Sequence, residues 1–168
     1  MIKKFETETE GVLVLVSKKG LQNYYEKNDF DYSYPEGILS LVNTGIVLPI
    51  TTESTDLINV NIRFEEGGDI DGIQFGQCKL FLEEEDTLQI LNHADFTMIC
   101  DYNKGDIDKY EFYYDQQFVN DLKKGWYLVT LFGKIIEDGD NKQIEIIFDL
   151  IWLAEEPFFI QHSDVYVV

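Results

Sequence analysis

WYLVTLFGKIIEDGDNKQIEIIFDLIWL, residues 126–153, is the stretch whose reading decides the fold class. Both halves are rich in β-branched and aromatic residues. Between them EDGDNK, residues 137–142, offers Asp138-Gly139 and Asp140-Asn141, which tolerate positive φ. The segment predicts a hairpin, Trp126–Ile136 returning as Gln143–Leu153, with Trp126 and Trp152 filling the core. IEIIFDLIWL is apolar at nearly every position, which predicts a central strand covered on both faces.

Outward from the hairpin, apolar residues recur with period two. In LINVNIRF, residues 57–64, Ile58, Val60, Ile62 and Phe64 share one face and Leu57, Asn59, Asn61 and Arg63 the other. Further strands are predicted at Val12–Ser17, Ile38–Val42, Ile73–Leu82, Thr87–Leu91, Phe96–Tyr102, Tyr110–Tyr114 and Val165–Val168. EEEDT, GGDIDG and NKGD supply turn signals at the spacing of a sandwich. One helix is expected in DQQFVNDLKKG, residues 115–125. Asp115 caps it, Phe118 and Leu122 stand four apart, and Gly125 closes it. The expectation is an all-β, antiparallel β-sandwich, a single domain over residues 1–168, with one short helix.

Thirteen Lys and Arg stand against 32 Asp and Glu, a net charge of −19, and Arg63 is the one arginine. Such a chain repels nucleic acid and anionic lipid, which bind through clustered cations. It favours a basic protein, a cationic ligand or a divalent metal as partner, or else the acidity serves solubility alone. The apolar run Val12–Val16 is too short for a signal segment or a membrane span. Cys78 and Cys100 lack CxxC spacing and read as reduced, half-buried thiols. A cytoplasmic location is expected.

Catalytic signatures do not emerge. His93 in NHAD and His162 in QHSD stand apart, without a GxSxG elbow, an HExxH or a cysteine–histidine pattern. GGDIDG places Asp69 and Asp71 before Gly72, yet an EF-hand register puts Gly67 first and Cys78 last, where an aspartate and a glutamate belong. A looser oxygen site at Asp106 and Asp108, or at Asp138 and Asp140, is the remaining metal reading. Neither phosphate-binding glycine pattern occurs. No catalytic residue, metal ligand or cofactor is assigned.

YYEKNDFDYSYPEG, residues 24–37, sets five rings among four acids and one lysine. It reads as a half-buried strand with Phe30, Tyr32 and Tyr34 inward, or as a tyrosine-lined acidic loop. Tyrosine gives contact area at low entropic cost, and interleaved carboxylates pair with a partner's cations. Tyr24, Tyr25, Asp29, Asp31, Tyr32 and Glu36 are therefore candidate contacts. In KYEFYYD, residues 109–115, Tyr110, Phe112 and Tyr114 alternate with Glu111 and Tyr113, which add a second patch.

From Tyr110 to Gly133, where DLKKG turns into the aromatic-rich WYLVTLFG, the chain resembles small bacterial nuclease-inhibitor and toxin-immunity proteins, including the competence-type nuclease inhibitors. The resemblance carries over no functional residue. It implies a cytoplasmic protein without catalysis of its own that occludes a basic toxin or nuclease. Two other readings stand beside it: a metal-stabilised β-sandwich, either a carbohydrate-binding module or a hydrolase using paired carboxylates, and a subunit pairing with its copy through Val165–Val168.

Overall fold

The computed structural model describes residues 1–31, 33, 36–52, 57–139, 141–158 and 166–167. Among the described residues, ten strands form two five-stranded sheets. They are β1 (Ile2–Glu8), β2 (Val12–Ser17), β3 (Val47–Thr51), β4 (Leu57–Phe64), β5 (Ile73–Leu82), β6 (Leu88–Asn92), β7 (Gln117–Val119), β8 (Gly125–Asp138), β9 (Asn141–Leu153) and β10 (Tyr166–Val167). One sheet runs β1-β4-β9-β8-β5 and the other β10-β3-β2-β6-β7. The helices are α1 (Lys18–Tyr25), α2 (Leu39–Asn43) and α3 (His93–Asn103).

The predicted hairpin is the longest pairing. Trp126 stands opposite Leu153 and Asp138 opposite Asn141, and Gly139 turns at φ 63°. LINVNIRF forms β4 with Ile58, Val60, Ile62 and Phe64 buried. Those four meet Leu13, Leu15, Leu48, Ile50, Leu88 and Ile90 from the opposite sheet in the inter-sheet core.

Alternation along β2 accounts for a third layer. Leu13 and Leu15 face the first sheet, while Val14 and Val16 face a second core with Leu21, Leu41, Phe96 and Ile99 from the helices. A strand apolar at successive positions is covered on both sides, and here that strand is β2. The expectation had placed double cover on β9. β9 is central in its sheet and buries Ile146, Phe148 and Leu150, while its other face is only partly covered, with Ile147 7% exposed. There Asn61 donates to Glu145, Arg63 lies 3.7 Å from Asp149, and Ile151 is 43% exposed.

Other expectations are corrected. The helix expected over 115–125 is absent: Gln117–Val119 pairs with β6, and Asp121 has φ 61°, outside the helical region. Three helices replace the one expected. Ile38–Val42 and Phe96–Tyr102 are helical rather than extended. Their buried residues, Ile38, Leu41 and Val42, then Phe96, Ile99 and Cys100, fall at i, i+3 and i+4. Tyr110–Tyr114 joins no ladder. The sheets are not purely antiparallel, since β4–β9 and β10–β3 are parallel. Both cysteines are fully rather than half buried, Cys78 between the sheets and Cys100 under the helices. Val165 and Val168 lie outside the described residues. Among the described residues, no helix is long and apolar enough to cross a membrane.

Candidate partner-binding surface

α3 organises the surface that holds both candidate patches. Asn92 caps it, its side chain accepting from Asp95 N at 2.8 Å. It stops where Lys104 turns left-handed at φ 50°, with Gly105 next at φ 73°. A Cβ on Gly105 would meet Tyr25 Cδ2 at 2.8 Å and Leu21 O at 2.9 Å, so the glycine lets α3 close onto α1.

Residues 26–31 and Ser33 line one flank of this helix. Near its C-terminus Asp29 and Phe30 share a hollow with Cys100, Asp101 and Lys104; near its N-terminus Phe30, Asp31 and Ser33 border His93, Phe96 and Thr97. Phe30 is half-buried, edge-on to Tyr25 and Phe96 with centroids 5.8 and 6.4 Å away. Asp31 is exposed and accepts from Ser33 N at 2.8 Å, and this hydrogen bonding holds its carboxyl below the usual range. Asp29 and Glu36 are exposed.

Tyr25, predicted as a contact, is corrected to core. It is 6% exposed and hydrogen bonded to Cys100, and burial pushes its hydroxyl pKa far up. Tyr24 is half-buried, stacked edge-on to Tyr25 at 5.1 Å, with its hydroxyl 3.3 Å from Ser40 Oγ. Tyr32 and Tyr34 lie outside the described residues.

Residues 106–114 line the opposite flank. Asn103 Nδ2 donates to Lys109 O at 3.3 Å, Tyr110 donates to Asp95 Oδ1 at 2.6 Å, and Tyr114 donates to Asp95 Oδ2. Burial first, then the Asp95 carboxylate, pushes Tyr110 up to about 12 and Tyr114 further. Tyr110 and Phe112 lean on the helical core with centroids 4.9 Å apart. The alternation read from KYEFYYD holds only in part and without a strand: Glu111 is exposed, Tyr113 is 99% exposed, and Tyr110 and Phe112 are half-buried, but Tyr114 is 46% exposed.

Sequence reasoning missed the outward face of α3 between these flanks. Ala94, Met98 and Tyr102 are exposed, Met98 at 44% and Tyr102 at 73%. The signal was the cap Asn92, then Phe96, Ile99 and Cys100 at helical spacing, with Gly105 as the stop.

The metal reading loses its ground at Asp106 and Asp108. Asp106 accepts from Asp108 N at 3.2 Å and pairs with Lys109 at 2.8 Å, while Asp108 pairs with Lys18 at 2.5 Å. The side chains of Asp138 and Asp140 lie outside the described residues, as does His162. His93 opens α3 half-buried, and burial lowers its pKa. Among the described residues, no three His, Cys, Asp or Glu side chains gather as a metal site would require.

A two-sheet sandwich with one helix-covered wall and an acidic, ring-bearing face is the class that this fold and surface define. Two solved structures share the fold. ComJ from Bacillus subtilis, an inhibitor of the DNA-degrading activity of NucA, superposes with a TM-score of 0.52 at 12% identity, over 91% of this chain and 99% of its own. The Crocagin biosynthetic gene J product gives a TM-score of 0.52 at 6% identity, over 88% and 96%. The resemblance to nuclease inhibitors read from Tyr110–Gly133 thus extends over most of the chain as a likeness of fold. No protein-family model matches the sequence, and no curated protein does.

Proposed function

We propose that this protein is an inhibitor or immunity protein that binds a basic nuclease or toxin through the acidic, aromatic surface around α3. The observation that carries the reading is the fold shared, nearly end to end, with an inhibitor of a DNA-degrading nuclease. Charge supports it in detail. Net −19 repels DNA and attracts a cationic enzyme, and opposite charge raises association rates. Asp29, Asp31, Glu36, Glu111 and Tyr113 are exposed to meet such a partner. Tyr24 contributes its edge, and Tyr32 stays a candidate by sequence. The compartment that fits this role is the cytoplasm.

The test uses a panel of purified cationic nucleases degrading linear duplex DNA. The protein should inhibit at least one stoichiometrically. Raising salt from about 50 to 300 mM should slow association far more than it speeds dissociation, because screening acts on encounter. Failure against every nuclease, or an association rate indifferent to salt, refutes the reading.

A further inference from the structure

We infer that the outward face of α3, with Ala94, Met98 and Tyr102, is the apolar centre of one continuous contact surface, and that the acidic segments on its two flanks form the rim. This rests on the inhibitor reading and deepens it. The partner it fits is a protein presenting an apolar side chain ringed by lysines and arginines.

The geometry follows from helical spacing. Residues four apart stack on one face, so Ala94, Met98 and Tyr102 form a single stripe about 12 Å long at 1.5 Å per residue. Residues turned toward one side of that stripe, Thr97, Asp101 and Lys104, border residues 26–31 and Ser33. Residues turned toward the other, Asp95 and Asn103, hold 106–114. The two patches, 80 residues apart in sequence, therefore sit on either side of one exposed ridge.

Scattered exposed apolar residues are ordinary. Here a 44% exposed methionine and a 73% exposed tyrosine stand on one helix face whose flanking segments carry carboxylates. Protein interfaces are built this way, with methionine and tyrosine in the core of the patch and charge at its margin. The margin carries Asp29, Asp31, Asp101 and Glu111, while Lys27 and Lys104 share the hollow at the C-terminal end of α3. A second copy of this chain would bring its own −19 to the same face, so like-charge repulsion selects a cationic occupant.

The experiment compares wild type with Met98→Glu and Tyr102→Ala, both at exposed positions, and with Ile135→Glu, which is 65% exposed on the long hairpin. Melting curves confirm folding. The probe is a purified cationic nuclease, with binding followed by calorimetry at about 50 mM salt, inhibition on linear duplex DNA, and self-association by light scattering. Each α3 substitution is expected to weaken binding at least about 30-fold, the scale of an interface hot spot, with Ile135→Glu unchanged. Inhibition that survives both α3 substitutions overturns this inference and leaves the inhibitor reading standing. Binding that depends on α3 without inhibition does the reverse. Wild-type self-association abolished by Met98→Glu assigns the face to a second copy and overturns the cationic occupant. An absence of binding overturns both proposals.

Discussion

Raising the pH from 8 to 10 tests the layered packing, because each core holds one buried thiol. Cys78 is 0% exposed between the sheets and Cys100 is 2% exposed under α3. Burial raises both pKa values, that of Cys100 to about 12. In the unfolded chain a thiol ionises near pH 8.5. Between that value and the folded one, the unfolded state has released a proton that the native state retains. Stability is therefore fully present below about pH 8.5 and falls as pH rises toward the folded pKa. Integrating from pH 8 to 10 gives about 2 kcal/mol per thiol, roughly 4 kcal/mol for the pair. Tyr25 and Tyr127, both buried with raised pKa values, add less than about 1 kcal/mol together because an unfolded phenol ionises near 10. For a chain of this size the loss is roughly a 10 °C fall in Tm. The assay is urea unfolding at intervals between pH 8 and 10, for wild type, Cys78→Ala, Cys100→Ala and the double variant. Each alanine lowers absolute stability by leaving a small cavity; the informative quantity is the slope with pH. Each single variant should lose somewhat less than half of that slope and the double variant most of it, the tyrosines with raised pKa values keeping the remainder. A slope unchanged by Cys100→Ala would mean that the thiol already meets water, and that α3 does not seal the second core as described.

Three other perturbations probe the supports of the surface. Asp86, 3% exposed, accepts from Ser17 Oγ at 2.6 Å and from the backbone N of Thr87, Lys19 and Glu83 at 2.7, 2.9 and 3.1 Å. Asp86→Ala strands these donors and should lower stability by about 3 kcal/mol in urea unfolding; a loss under about 1 kcal/mol would show that water replaces the carboxylate. Gly105→Ala puts a side chain at φ 73° against Tyr25 and should cost about 2 kcal/mol, with faster amide exchange across α3. Unchanged exchange there would contradict the α1–α3 closure. Tyr110→Phe combined with Tyr114→Phe removes both hydroxyls from Asp95, which is 8% exposed. That pair should destabilise by about 2 kcal/mol and free residues 106–114 to exchange, while Tyr113→Phe should change neither.

The sandwich was legible where a strand has one wet face or a closed turn. LINVNIRF announces itself because Asn59 and Arg63 sit on the outer wall while Ile58 and Ile62 sit inside. The hairpin announces itself through Asp138-Gly139. The helical layer was hidden by the same rule. A helix of three turns or fewer shows only one or two repeats of its spacing, and FTMICDY alternates well enough to imitate a strand. Lys3, Lys4 and Glu6 disguised β1, whose polar side chains suit a sheet edge. Pro49, opposite Val14, disguised β3, since proline is rare inside a sheet.

The candidate surface was legible in its parts but not in its assembly. Exposed acids and tyrosines in 24–37 and 109–115 could be named from composition. Their adjacency depends on α3, a helix that had been read as a strand. Tyr25 reads as outside for the same reason: without α3 there is no helical core, and no Cys100 hydrogen bonded to it, to bury it. A strand over 96–102 would have put Met98 and Tyr102 on one face with Phe96 and Cys100, all at even spacing and so buried or exposed together. The helix separates them, Phe96 and Cys100 inward and Met98 and Tyr102 outward. The same change of period that builds the second core therefore exposes the ridge, and any substitution that melts α3 must disturb packing and the proposed contact surface together. Separating the two effects requires changes confined to Met98 and Tyr102, whose side chains the fold can lose without opening either core.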